Sequence, residues 1–196
     1  MNNYPEYAEV NGKRYKINTD FRVAIQCNEV AENKKIGELE RGLAVIYLLF
    51  GDEALEDSNN HFGLLKAAKK FLSCEKELEE IDENKVPDMD YLEDMDYIEA
   101  SFMSDYHIDL SNIEMHWYKF TKLINGLSNS EFGNCCVLNS VRNLRNYDVS
   151  TITDQKQKDK IIEAKKAVEL KKYKKENNLT DKQLQSINDL YSQLKM

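Results

Sequence analysis

DYLEDMDYIEASFMSDYHIDLSNIEMHWYKFTKLINGL, residues 90–127, holds the richest apolar pattern in the chain and its single tryptophan. Leu92, Met95, Ile98, Phe102 and Tyr106 recur at steps of three and four, which places them on one face of a helix. Asp94, Asp96 and Glu99 fall off that stripe and keep the opposite side wet. His107-Ile108-Asp109-Leu110 reads as a joint. Ser111 with Glu114 three residues on has the spacing of a capping box, so a second helix is expected to open there. Ile113, Trp117, Phe120, Ile124 and Leu127 form its stripe. Two helices so close in sequence are expected to pair antiparallel, with Ile98, Phe102, Trp117, Phe120 and Ile124 as structural core. That spacing implies architecture and no chemistry.

Outward from this pair, the chain keeps a helical grammar. Ser128-Asn129-Ser130-Glu131 is a second capping box, opening a helix through Phe132, Val137, Leu138, Val141 and Leu144. Before the pair, residues 75–99 carry 12 acidic side chains against Lys76 and Lys85, a net of -10. Val86-Pro87-Asp88 interrupts that run and marks a loop or boundary. A helix is expected near Phe62, Leu65, Ala68, Phe71 and Leu72. Leu39, Leu43, Ile46 and Phe50 make another stripe, but Ala44, Val45, Leu48 and Leu49 fill the remaining faces, and Gly51 ends it. A helix apolar nearly all round is either central or covered by another chain; the central reading outweighs the other. Thr19 or Asp20 caps a helix carrying Phe21, Ala24, Ile25 and Val30. At the front, Ala8-Glu9-Val10 and Arg14-Tyr15-Lys16-Ile17 flank Asn11-Gly12, a two-residue hairpin signal.

Toward the other end the charge inverts. Residues 154–175 hold nine lysines against Asp154, Asp159, Glu163 and Glu169, a net of +5 in a chain whose total is -8. Lysine-rich segments can track a phosphate backbone. This one has no arginine and only Tyr173 as an aromatic, so it is poorly equipped for base readout or stacking. Its acids are spaced to pair with lysines along an exposed helix, which favours a solvated helix or one docking on the acidic segment. Thr180 and Gln183 cap a last helix with Leu184, Ile187, Leu190, Tyr191 and Leu194.

Composition sets the class. Of 196 residues, 41% are hydrophobic and 32% charged, as in folded soluble proteins, and only 2 prolines and 7 glycines break the chain. The expected fold is mainly α: a compact helical domain over residues 1–150 with a short N-terminal β-hairpin, then a basic helical C-terminal tail over residues 151–196. Residues 1–6 have neither the basic nor the apolar part of a secretory signal. The longest apolar run, residues 43–50, is 8 residues, far short of the ~20 that span a bilayer. Four cysteines without Cys-x-x-Cys spacing point to a reduced compartment.

Chemistry is hard to find. No two of His61, His107 and His116 lie three or four apart, and Asp105, His107, Asp109 and His116 converging across the joint would be a poor ligand set. There is no Gly-x-Ser-x-Gly turn, no recognisable Cys-His setting and no phosphate-binding glycine loop. The carboxylates of residues 75–99 read as a solvated acidic face rather than a tuned acid–base pair. No enzyme activity, metal or cofactor is expected.

Asp96-Tyr97-Ile98-x-Ala100-x-Phe102, Tyr106-x-Ile108-Asp109-Leu110, His116-Trp117-x-x-Phe120 and Leu123-Ile124-Asn125-Gly126-Leu127 together resemble a bacteriophage tail-morphogenesis family. It is the phage protein "fifteen" type, tail assembly chaperone-like, of long-tailed phages and prophages of low-GC Gram-positive bacteria. Asp20-Phe21-Arg22, Phe132-Gly133 and the basic run near residues 171–175 are similar too, so the resemblance covers most of residues 1–175. It implies a non-enzymatic protein of the bacterial host cytoplasm that binds the tape-measure protein or another tail-assembly protein, with self-association open, no membrane contact and nucleic acid disfavoured. The alternative is a structural or nucleic-acid-associated morphogenesis protein using its lysine-rich tail. A tape measure is expected to be long, helical and partly apolar, so its chaperone needs apolar grooves rather than a catalytic cleft. Leu43, Ile46, Tyr47 and Phe50, with Leu190 and Leu194 of the last helix, are the candidate client-binding residues.

Overall fold

Asn11-Gly12 turns the chain between strands β1 (Tyr7–Val10) and β2 (Lys13–Lys16), which pair antiparallel with Val10 opposite Lys13. Both turn residues take positive φ, 51° and 77°, which a two-residue hairpin needs, and which asparagine tolerates and glycine adopts freely. The computed structural model describes residues 4–76, 86–129 and 135–173. The chain divides into two compact units, Met1–Tyr147 and Asp148–Met196.

A lone hairpin is marginal in water, so the first unit must hold it. It lies against helix α4 (His61–Leu72), where a Cβ at Gly63 would collide with Val10 Cγ1. Only glycine allows that approach. Lys13 and Tyr15 of β2 both donate to the Asp57 carboxylate, at 2.9 and 2.7 Å, and Asn60 ties Asn11 and Tyr15 to the same corner. These bonds, led by Lys13, hold the Asp57 carboxyl down at about 2. Val10, Tyr15, Ile46, Ala54 and Leu64 close a small core beneath the hairpin.

Helix α1 (Phe21–Glu32) starts on the Asp20 side chain, which accepts from the Arg22 N–H at 2.9 Å. Helix α2 (Glu38–Phe50) ends where the Gly51 N–H bonds the Tyr47 carbonyl, and α3 (Asp52–Glu56) follows at once. Helices α5 (Met95–Tyr106), α6 (Trp117–Asn125) and α7 (Val137–Asn146) complete the unit. Its main core is aromatic. Phe120 stacks on Phe21 at 4.3 Å, on Phe102 at 5.4 Å and on Trp117 at 5.8 Å. The Trp117 Nε1–H donates to the Leu72 carbonyl at 3.0 Å, so the indole's one polar atom is satisfied inside.

The second helix of the pair does not open at Ser111. Residues 110–112 form a single 3-10 turn capped by Asp109, and α6 begins at Trp117, capped by the His116 ring. Tertiary pairing overrides the capping-box spacing. The Phe21 N–H donates to the Met115 carbonyl at 3.0 Å and the Trp117 N–H to the Thr19 carbonyl at 2.7 Å, a short bridge beside which residues 113–116 stay out of any helix, with Ile113 and His116 extended. Leu92 lies before α5 and is exposed, so it is not part of that helix's buried stripe. Of the second capping box, residues 130–134 lie outside the described residues. Helix α7 starts at Val137 on the Cys136 side chain, and Cys135 and Cys136 before it are not helical, so no continuous helix runs from that box through Val137.

In the second unit, Asp148 caps a 3-10 turn over Val149–Thr151 and Asp154 caps α8 (Gln155–Ala167), accepting from the Gln157 N–H at 2.7 Å. None of the α8 side chains is buried. Among the described residues no helix is long and apolar enough to cross a membrane.

Candidate functional site

Helix α2 carries the longest apolar run, and the fold uses only part of it. Val45, Ile46 and Leu49 turn inward, packing toward α1 and α4. Leu39, Leu43, Tyr47 and Phe50, spaced by three and four, fall on another side of the helix. Leu39 is 71% exposed and Tyr47 49%, while Leu43 and Phe50 are half-buried. Of the four candidate client residues here, Ile46 is therefore wholly inside and has no surface to offer; Tyr47 has the most. Leu190 and Leu194 lie outside the described residues.

Two clefts border the helix. One, of about 1090 Å³, is lined by Tyr47, Leu48 and Phe50 of α2, by Lys16 to Asp20, and by Glu114, Met115 and His116. The other, of about 660 Å³, lies among α1, α2 and α4. Ala31, Gly42, Val45, Leu65, Ala68 and Leu72 supply its apolar lining, with Glu38, Arg41 and Lys69 among its polar residues. On α4, Phe62 is 86% exposed and Leu65 is exposed as well, although both belong to the apolar pattern that predicts that helix.

The resemblance motifs sit elsewhere, as fasteners. Arg22 reaches the carbonyls of Leu110 and Ile113, the latter at 3.2 Å, and so holds the joint against α1. His116 Nδ1 accepts from the Tyr118 N–H at 3.0 Å and its Nε2 bonds the Pro5 carbonyl at 3.1 Å. Burial holds the His116 pKa below its ordinary value, in keeping with a ring whose Nδ1 must stay unprotonated. The Tyr106 hydroxyl donates to the Leu123 carbonyl, and Asp105 accepts from the Ser128 N–H at 2.7 Å, a bond that lowers its carboxyl pKa. Asp109 accepts from Ser111 and Asn112 and is likewise held down, chiefly by the Ser111 hydroxyl. Asp105, Asp109 and His116 thus each have a backbone to hold, and His107 turns the chain at a left-handed φ of 55°. Among the described residues no group of three or more His, Cys, Asp or Glu could hold a metal.

The acidic segment is not simply a solvated face. Residues 77–85 lie outside the described residues, but Asp90 and Asp94 are buried. Asp94 takes a two-pronged bond from Arg145 at 2.6 and 2.7 Å, and Arg142 pairs with Asp88 at 3.1 Å. The Asp94 carboxylate raises the Arg145 pKa still further. Asp90 accepts from the N–H groups of Leu92 and Glu93 and shapes the turn into α5. These carboxylates bolt the segment to α7. Composition hides this, because a count of acids does not say which ones face an arginine fifty residues away.

Burial pushes Cys27 up to about 12 and raises Cys74, so both are protonated near neutral pH.

A family model described as Bacteriophage Gp15 protein matches residues 1–170. No curated protein and no solved structure matches the chain.

Proposed function

The chain belongs to the bacteriophage Gp15 protein family, and from that membership we propose that it is a non-enzymatic tail-assembly chaperone that keeps the tape-measure protein soluble. One observation carries this reading: α2 leaves Leu39 and Tyr47 exposed along a helix bordered by two clefts. An amphipathic client helix binds by laying an apolar stripe into such a groove. The motif residues support the same division of labour, since they are occupied with the core and leave the outer face of α2 free to differ in use.

Co-expression tests it. The chain is expected to keep the tape-measure protein in the soluble fraction, in a complex that survives added salt because apolar burial does. Leu39→Asp with Tyr47→Asp should release the client while the chaperone stays folded. A client that precipitates beside the wild-type chain would overturn the proposal. Duplex DNA bound tightly at physiological salt, with an affinity that falls by orders of magnitude between ~50 and ~200 mM, would shift the reading to the lysine-rich second unit.

A further inference from the structure

Two helix faces in the first unit match each other in chemistry and have no described partner. On α4, Phe62, Leu65, Lys66 and Lys69 share one side at helical spacing, and all four are exposed. The helix holds no carboxylate, although the chain is acidic overall at -8. Its third lysine, Lys70, is already beside Glu75 at 3.5 Å. On the other face, Leu92 in the turn before α5 and Asp96, Glu99 and Met103 on the helix recur at steps of four, three and four, again all exposed. Among the described residues, no ion pair joins Lys66, Lys69, Asp96 or Glu99 to anything. One face is apolar and cationic, the other apolar and anionic.

We propose that these faces dock on one another between copies of this chain, the α4 face of one molecule receiving the α5 face of the next. The occupant follows from charge. An acidic protein repels its own copies over most of its surface, and the α4 face offers two cations flanked by exposed apolar side chains. The α5 face supplies two carboxylates and two apolar side chains, so opposite charges can pair at the rim while Phe62, Leu65, Leu92 and Met103 leave water. Because different surfaces meet, the contact is head-to-tail: each copy still has one face free, and assemblies grow or close into a ring. Four side chains a side is far below the roughly 20–30 of a standard interface, so the association is weak and needs high protein concentration. Exposed charge pairs are screened, so it is also sensitive to salt. Leu65 and Lys69 also line the cleft among α1, α2 and α4, so a client helix seated in that cleft would compete with this contact, whereas the exposed Leu39 and Tyr47 lie outside it.

Sedimentation velocity on the full chain over a range of concentrations tests it. The wild type should show a weight-average mass that rises with concentration at low salt and falls back when salt is added. Lys66→Glu with Lys69→Glu should abolish the rise, and so should Asp96→Lys with Glu99→Lys. An equimolar mixture of the two variants should restore it, since each then carries the face that the other lacks. Phe62→Ser is the uncharged arm and should weaken association without touching any charge, with thermal melts confirming that each variant is folded. A wild type that stays monomeric throughout, charge variants that associate as the wild type does, or a mixture that fails to recover would each overturn the contact.

Discussion

Helix α6 leaves no large apolar side chain exposed, whereas α2 leaves Leu39 and Tyr47 outside and α4 leaves Phe62 and Leu65. Both regions read from sequence as apolar helices. They differ in how many sides are covered. Around α6 stand Phe21 of α1, Phe102 of α5 and the chain end of α4, where the Leu72 carbonyl meets the indole, so Trp117 and Phe120 are enclosed. Around α2, neighbours cover one side and leave the other to solvent. Large apolar groups held in water are stabilised by a second partner or by none, which is why the outer α2 and α4 faces are the places to look for function and the α5–α6 region is the place to look for stability.

The contrast breaks if the α5–α6 region tolerates truncation. Trp117→Ala removes a buried indole and is expected to cost about 3–5 kcal/mol, on the order of 10 °C in Tm for a unit of this size. A thermal melt that stays within a degree of the wild type would remove Trp117 from the role of keystone. Next in size is the Asp94–Arg145 pair, buried on the carboxylate side and nearly so on the guanidinium side. Asp94→Ala strands a charge and should cost about 3 kcal/mol, whereas Asp94→Leu with Arg145→Met should recover much of the loss. If the double variant is no better than the single, the pair contributes by attraction rather than by avoiding an unpaired ion.

A smaller effect comes from the His116 cap. Its folded pKa lies below the ordinary 6.5 because the ring is buried. The unfolded chain therefore takes up the proton first, so stability is complete above about 6.5 and falls as pH drops toward the depressed folded value. Deleting the acceptor altogether with His116→Ala should cost about 1 kcal/mol, the usual worth of a cap. His116→Asn, which keeps a capping acceptor without titrating, should flatten the Tm profile between pH 8 and 5; a wild-type profile that is already flat would deny the ring its cap role. Smallest on stability are Leu39→Asp and Tyr47→Asp, each within about 0.5 kcal/mol as exposed substitutions are. Urea titration of each variant checks this. A large loss at either would mean that the outer α2 face is structural, and the contrast would fail from the other side.

Periodicity and capping chemistry determine a good deal here without any tertiary information. The mainly α fold, the Asn11-Gly12 hairpin, the Asp20 cap of α1 and the Gly51 end of α2 all depend on residues close in sequence, and local sterics and local hydrogen bonds decide them. The start of α6 does not. Ser111 and Glu114 satisfy a local rule, yet Thr19 and Phe21 arrive from ninety residues away and take the backbone groups that a helix would have used. Nor could composition sort Asp94 from Asp96, two acids in one run: Arg145 lies over the first, and the second faces water. The same holds on α2, where Ile46 and Tyr47 are adjacent apolar residues and only the packing against α4 and the hairpin makes one core and the other surface. A helical pattern gives the angle of each side chain about its own axis, whereas burial depends on what stands at that angle, and distant parts of the chain supply it.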